Sequence, residues 1–234
     1  MPILKDIDLA IDIDQVLTAL GADPVVIRRR KPAAVLSCES ALQTGLPLVR
    51  PQVLYKRYAI QKSQSGLIIP ESGISIRNPF VLHQLAKADF VFVVLCTIGK
   101  ELESYASAIA QRDRMLEFSL DAVGTAAIES LANKVCSILE TENAAIGLNT
   151  TIPLSPGMTG WKTDEGQSLI FNLLDAKRIG VSLSDNLMMN PKKSLTMLIG
   201  AGPHIRKAGT TCDYCPKREQ CRYRSNDIPQ HPAE

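Results

Sequence analysis

Three cysteines close to the end of the chain have the spacing of metal ligands. Cys212, Cys215 and Cys221 form a C-x₂-C-x₅-C pattern within the segment CDYCPKREQCRYR. Two thiols separated by two residues can face one metal from a single tight turn, and a third thiol nearby can share that metal. The arginines of the segment would offset the negative charge of bound thiolates. The spacing therefore predicts that these cysteines bind a metal together.

The spacing alone leaves the metal and its fourth ligand open. Tetrahedral zinc needs four ligands, and His204 or His231 could supply the fourth. A 4Fe–4S cluster also needs four, and Cys38 is the remaining cysteine with the weakest indication of a core position. Alternatively, one iron stays open for an exogenous ligand. Cys96 and Cys136 lie in apolar runs and are interpreted as buried core thiols.

The composition is that of an ordinary globular protein. The chain has 234 residues, 45% hydrophobic and 21% charged, with a net charge of +2, and it is long enough to bury a sizeable core. This charge gives no case for binding nucleic acid or a membrane surface. The longest apolar run is far shorter than the ~20 residues of a membrane span. The first residues do not resemble a signal or transit peptide, so we expect a cytoplasmic location.

The elements that must position the cysteines indicate an α+β fold with an antiparallel sheet and helices packed on it. Short β-prone runs within residues 53–76 predict an antiparallel meander, and residues 90–96 predict a central strand covered on both faces. Apolar residues recur every three or four positions across residues 113–140, which predicts a long helix. One compact domain over residues 1–205 would then carry a cysteine tail, residues 206–234.

The segment that follows the long helix has the most distinctive local pattern in the chain. A Ser-Pro-Gly turn leads to Trp161, the single tryptophan of the chain. Asp164 stands three residues before Gln167, the spacing of a capping box, so a helix is expected to begin there. Two strands are predicted next, over residues 179–183 and 194–199, with an apolar bend between them.

These residues resemble the activation domain of cobalamin-dependent methionine synthase, and most closely the small free-standing proteins of that family. The resemblance covers roughly residues 85–224. The matching segments are Thr97-Ile98-Gly99, Ser155-Pro156-Gly157, Trp161, Gln167, Phe171, Leu173-Leu174, Ile179-Gly180-Val181, Met188-Met189, Pro191 and Lys193-Ser194. Free-standing members carry a similar cysteine tail, and the resemblance therefore favours an iron–sulfur cluster, of the 4Fe–4S type, over zinc.

The resemblance implies an accessory role for a corrinoid-dependent methyltransferase. In that family the domain docks over a cobalamin whose cobalt has been oxidised to an inactive state, and it presents S-adenosylmethionine while an electron arrives. The implied partners are a corrinoid protein or a cobalamin-dependent methyltransferase, with flavodoxin or ferredoxin as an electron donor. The implied cofactor-binding residues are Glu129, Ser155, Pro156, Gly157, Trp161, Met188 and Lys193. For Glu129, a solvent-facing helix residue is the alternative interpretation.

The S-adenosylmethionine loop departs from the family pattern at two positions. The family has an Arg four residues before the loop Gly and a Tyr directly after it, whereas this chain has Pro153 and Met158. A lost charged hydrogen bond costs about 1.5–3 kcal/mol, so we expect weak or absent S-adenosylmethionine binding. The residues therefore support electron delivery, one part of the family's role, better than the presentation of S-adenosylmethionine as methyl donor.

Two other functions fit the same residues. One is an iron–sulfur electron carrier or redox sensor that has the fold but no corrinoid partner. The other is a ligand-binding module whose tail is stabilised by zinc. The sequence has no phosphate-binding glycine loop, no nucleophile elbow and too few histidines for a Ser–His–Asp arrangement, so it assigns no catalytic residue.

Overall fold

The computed structural model describes residues 1–5, 7–64, 66–207 and 209–221. The α-helices in these ranges are α1 (Ile13–Ala19), α2 (Pro24–Arg30), α3 (Pro32–Gly45), α4 (Pro79–Gln84), α5 (Glu101–Ile109), α6 (Arg114–Ala144) and α7 (Thr163–Leu173). The strands are β1 (Ile3–Lys5), β2 (Gln52–Ala59), β3 (Gln61–Ser63), β4 (Gly66–Ile69), β5 (Ile74–Ile76), β6 (Phe90–Thr97), β7 (Asn149–Thr150), β8 (Ser182–Leu183), β9 (Met189–Asn190) and β10 (Ser194–Gly202). None of the helices in the described ranges has the length and apolar character needed to cross a membrane.

A five-stranded antiparallel sheet forms the centre of the fold. Its strand order is β1-β2-β6-β10-β7, and every neighbouring pair is antiparallel. A second, three-stranded antiparallel sheet is made of β3, β4 and β5. The prediction of an α+β fold with an antiparallel sheet is therefore confirmed. The meander prediction is only partly right, because β2 pairs along its whole length with the distant strand β6 and does not join β3.

Each face of the central sheet packs against its own hydrophobic core. On β6, Phe92 and Val94 face the first core, which is closed mainly by α1, α3, α5 and α6. Val91 and Val93 point the other way into the second core, with α4, α7 and the smaller sheet. Because helices or strands cover both faces, β6 is apolar at successive positions, as the sequence predicted.

The predicted long helix is confirmed as α6, the longest helix of the described chain, with 31 residues. Its N-cap is Asp113, whose carboxylate accepts a hydrogen bond from the Leu116 N–H at 2.9 Å. It continues four residues beyond the predicted end, to Ala144. Near the middle of α6, the Lys193 side chain passes very close to Gly124. A β-carbon on Gly124 would lie 3.1 Å from the Lys193 Cγ. The absence of a side chain there permits this crossing.

The helix α7 begins without the predicted capping box. Its N-cap, Lys162, makes no side-chain hydrogen bond to the helix, and Asp164 lies inside the first turn. The Gln167 side chain points inward, and its Oε1 accepts a hydrogen bond from the Thr196 hydroxyl at 3.1 Å. Because Gln167 binds the central strand β10, it is not available to cap its own helix.

The two strands predicted after α7 have different outcomes. Residues 194–199 belong to β10, which extends three residues further and pairs with both β6 and β7. Of residues 179–183, only Ser182 and Leu183 form a strand, in a short hairpin with β9. The earlier part belongs to a 3₁₀ turn over Ala176–Ile179, which ends at Gly180 in a left-handed conformation.

Candidate functional site

A cavity of about 500 Å³ lies where α6, β10, the loop of residues 153–158 and the cysteine tail meet. We call it the sulfur cavity, because many of its lining side chains contain sulfur. These side chains are Cys136, Met158, Met197, Cys212, Cys215 and Cys221. The cavity therefore brings the loop and the cysteine tail, two regions that the sequence analysis singled out separately, to one place.

The wall formed by α6 is a regular helical stripe. Glu129, Ala132, Asn133 and Cys136 line the cavity at positions i, i+3, i+4 and i+7, the spacing that places side chains on one helix face. Of these four residues, only Glu129 was predicted from the sequence as a site residue. The same spacing, counted from Glu129, would have found the other three.

The Glu129 carboxyl has a perturbed pKa. Burial against the surrounding wall raises it above the ordinary value, and the positive charge of Lys193 opposes part of this rise. Glu129 as a whole is exposed to solvent, so water limits the rise in the pKa of its carboxyl. Lys193 does not line the cavity. Its Nζ lies 2.8 Å from both the Asp121 carboxylate and the Thr125 hydroxyl, so it acts on Glu129 through charge.

The loop of residues 153–158 is folded tightly over a buried tryptophan. The Gly157 N–H donates to the Trp161 carbonyl at 2.9 Å, and the Trp161 N–H donates back to the Met158 carbonyl at 2.9 Å. Trp161 is only 1% exposed, so it supports the loop from below and does not line the cavity. Ser155, Pro156 and Gly157 all reach the cavity wall.

The wall formed by the cysteine tail is docked on the body through Tyr214. The Thr159 N–H donates to the Tyr214 carbonyl at 2.8 Å, and the Tyr214 ring lies 5.4 Å from the Phe80 ring, centroid to centroid. Within the tail, Asp213 accepts a hydrogen bond from the Thr210 N–H at 2.7 Å, which closes a turn. These contacts hold the three tail cysteines against the cavity.

The three tail thiols share the cavity without converging on one point. Cys212, Cys215 and Cys221 are each half-buried and line the same cavity. In the part of the chain that the structure describes, no three His, Cys, Asp or Glu side chains are grouped closely enough to hold a metal ion. Binding a shared metal would therefore require the tail to close further. His231, one candidate for the fourth ligand, falls outside the described residues.

Comparison with known proteins identifies the fold. The chain is similar to the crystal structure of the MetH reactivation domain bound to AdoHcy, with a TM-score of 0.60 and 14% sequence identity. The match covers 92% of this chain and 83% of that one. The chain has a MetH reactivation domain-like fold. No family model matches the sequence, and no curated protein matches it.

Several residues predicted for the site lie away from the sulfur cavity. Met188 is 64% exposed in the turn before β9 and does not line it. Cys38, the predicted fourth ligand, is fully buried in the first core, where its thiol lies 3.8 Å from the Ser119 hydroxyl. Burial raises its pKa. The structure therefore does not bring Cys38 together with the tail cysteines, because α3 and α6 enclose it.

For Cys136 the interpretation as a buried core thiol is only partly right, because it packs against the first core but is not fully buried. It was interpreted as a core thiol, like Cys96. Cys96 is indeed fully buried, but Cys136 is half-buried and lines the sulfur cavity. Its Sγ lies 3.7 Å from the Met197 Sδ, and burial raises the pKa of its thiol to about 11.

A larger cleft, of about 710 Å³, is lined by polar and basic groups at another place on the surface. Lys62, Lys87, Arg206 and His204 line it, and among the described lining residues Asp89 is the one carboxylate. It contains no sulfur ligand and no residue of the loop. We therefore place the candidate site in the smaller sulfur cavity. The position of His204 in the other cleft also separates it from the tail cysteines.

The lining of the sulfur cavity suits two kinds of ligand. Thiolate and thioether sulfurs favour Cu(I), zinc and iron–sulfur clusters as the groups they bind. The Glu129 carboxyl and the Asn133 amide are polar groups beside an apolar wall, the usual composition of a small-molecule site.

Proposed function

We propose that this protein supports the reductive activation of a cobalamin-dependent methyltransferase, as an accessory that delivers an electron to a corrinoid partner. The sulfur cavity carries this proposal, because Glu129 and the loop of residues 153–158 share it with Cys212, Cys215 and Cys221. The fold adds support, since a MetH domain with the same architecture was crystallised with AdoHcy.

The tail thiols suit an iron–sulfur cluster in chemistry and in placement. They lie within ten residues of sequence, they are half-buried, and they face one cavity. When bound, such a cluster supplies a one-electron carrier. Lys217 and Arg218, between the second and third cysteines, would moderate its negative charge. Zinc is the alternative metal, and it would stabilise the tail without carrying electrons.

The other part of the family's role, binding S-adenosylmethionine as methyl donor, has less support. Pro153 and Met158 line the cavity at the two positions where the family has an Arg and a Tyr, and neither side chain can donate a hydrogen bond to a ligand carboxylate. We expect S-adenosylmethionine to bind about ten- to a hundredfold more weakly than with those donors. Calorimetry on the wild type and on a Pro153→Arg, Met158→Tyr double variant tests this. Low-micromolar binding by the wild type would contradict it.

The proposal is tested with anaerobically purified full-length protein. We expect iron and acid-labile sulfide in the wild type, and loss of both in Cys215→Ala, while Cys38→Ala keeps them. The wild type, supplied with a reductant, should accelerate Co(II) to Co(I) reduction in a corrinoid methyltransferase, measured by visible absorption. Cys215→Ala should not.

Two outcomes would replace the proposal. Protein that is colourless, contains about one zinc per chain and has no labile sulfide would indicate the zinc-stabilised module. A cluster-containing protein that neither binds a corrinoid protein nor affects cobalt reduction would indicate an electron carrier or redox sensor. The departures at Pro153 and Met158 are the observation that favours this second function.

A further inference from the structure

We infer that Cys136 is the fourth protein ligand of the metal centre formed by Cys212, Cys215 and Cys221. The inference rests on the proposed metal binding by the tail and adds a ligand from the body of the protein. Its basis is that all four thiols line the sulfur cavity, three from the tail and one from α6.

Cys136 lies on a packed helix, opposite the cysteine tail, which must close further to bind a shared metal. It lies on the cavity face of α6, and its neighbours Ala132, Val135 and Leu139 are buried in the first core. The tail is attached to the body through Tyr214 and short turns. Since the three tail thiols do not yet converge, a ligand on the rigid helix would give the closing tail a fixed point to close on.

Among the residues that the structure describes, the other candidates for a fourth ligand are excluded by position or by chemistry. Cys38 and Cys96 are fully buried and do not line the cavity. His204 lines the basic cleft instead. Glu129 does line the sulfur cavity, two turns before Cys136, but its oxygen is a harder ligand than sulfur and suits a soft metal less well.

A bound metal would hold Cys136 as a thiolate, as metals do with cysteine ligands. A closed tail would then be joined to the same face of α6 that carries Glu129.

The first experiment compares Cys136→Ala with Cys38→Ala in full-length protein after anaerobic reconstitution with iron and sulfide. We expect Cys38→Ala to match the wild type in iron, sulfide and visible absorption. Cys136→Ala should bind metal at least about ten- to a hundredfold more weakly, since loss of a mere outer-shell partner already costs that much. Equal cluster content and identical spectra in the two variants would overturn the inference while leaving the proposed function intact.

A second experiment uses Co²⁺ as a probe, so that the result does not depend on an iron–sulfur cluster. The sulfur-to-cobalt charge-transfer band should have the intensity of four thiolates in the wild type and of three in Cys136→Ala. A wild-type band of three thiolates would overturn the inference. A four-thiolate Co²⁺ site in a protein that forms no iron–sulfur cluster would uphold the inference and defeat the electron-transfer proposal.

The wild type provides a test that does not depend on whether the alanine variant folds. Alkylation at alkaline pH, where part of the Cys136 thiol ionises, followed by peptide mapping, should show Cys136 modified in the metal-free protein and protected in the metal-bound protein. Cys38 and Cys96 should resist alkylation in both states because they are fully buried. Modification of Cys136 at the same rate with and without metal would contradict the assignment.

Discussion

The first and second halves of α6 differ in what covers them. Around Ser119 and Leu120, the helix is enclosed by α3 and α5 in the first core. The Ser119 hydroxyl donates to the Met115 carbonyl at 2.9 Å and contacts the Cys38 thiol. From Glu129 to Cys136, one face of the helix is covered by a loop and the tail, which leave a cavity.

The element that covers a cysteine decides whether its thiol can reach a ligand. Two helices interlock at Cys38 and leave it no room for a ligand. A loop and a tail lie over Cys136, whose thiol reaches a cavity. Stability and binding are therefore assigned to different faces of one helix. Core-facing residues should respond to substitution through the free energy of unfolding, and residues on the cavity face of the second half through metal or ligand binding.

The largest effect is expected from Leu120→Ala in the first half. Leu120 is fully buried, and truncating a buried leucine to alanine removes about 2–5 kcal/mol from the free energy of unfolding. Denaturant unfolding measures the loss, and the metal content per folded chain should not change. Phe118→Ala is the control, because Phe118 is 60% exposed and should change stability by no more than about 0.5 kcal/mol. Equal losses of unfolding free energy in Leu120→Ala and Phe118→Ala would contradict the assignment of stability to the buried face of the first half.

The next largest effect is expected at the support of the loop. A β-carbon on Gly166 would lie 2.6 Å from the Pro156 Cγ and 2.9 Å from the Trp161 Cε2. Gly166→Ala should therefore push the loop away, destabilise the protein by about 1–3 kcal/mol and shift the Trp161 fluorescence. The exposed Ser168 on the same helix provides a Ser168→Ala control, which should change neither property. A wild-type emission spectrum in Gly166→Ala would show that the loop does not depend on this contact.

A smaller effect on stability is expected from Cys38→Ala. Its thiol is fully buried but makes only a long contact with Ser119, of 3.8 Å, so we expect a loss of about 1 kcal/mol in unfolding free energy. Metal content should equal that of the wild type. Cys136→Ala should show the reverse, with little change in metal-free stability and a loss of metal. If Cys38→Ala lost the metal, the sequence-based ligand assignment would be restored.

The regular elements could be predicted because their patterns are long. The apolar period of α6 could be followed over residues 113–140, most of a helix of 31 residues, and β6 is apolar at successive positions because both faces are covered. Short elements gave weaker signals. The Asp164–Gln167 spacing matched a capping box, but the burial of Gln167 against Thr196 depends on a strand about thirty residues away. Local spacing cannot show a tertiary contact of that kind.

The candidate site could be predicted only in pieces. The tail cysteines and the loop stood out by their residue types, but nothing in the sequence placed them around one cavity. The sequence also could not place Cys38 and Cys136, one buried in the first core and the other at the cavity wall, because an apolar run shows that a face is covered without showing by what. Cys38 meets Ser119, 81 residues away, and only the packing of α3 on α6 reveals this.

The smallest expected effect is a pH-dependent one at Glu129. Since burial raises its carboxyl pKa in the folded state above the ordinary value, the folded protein holds the proton more tightly than the unfolded chain. The carboxyl therefore destabilises the fold as pH rises from the unfolded pKa through the folded pKa, and has no such effect at lower pH. Glu129→Gln in metal-free protein should match the wild type in acid and be slightly more stable at neutral pH. Glu142→Gln, at an exposed position of the same helix, is the control and should not show this pattern. Lys193→Met should raise the Glu129 pKa further, measured by carbon-13 NMR, because it removes the opposing charge. A lower stability of Glu129→Gln at neutral pH would mean that attraction to Lys193 outweighs burial, and the cavity face of α6 would then also contribute to stability.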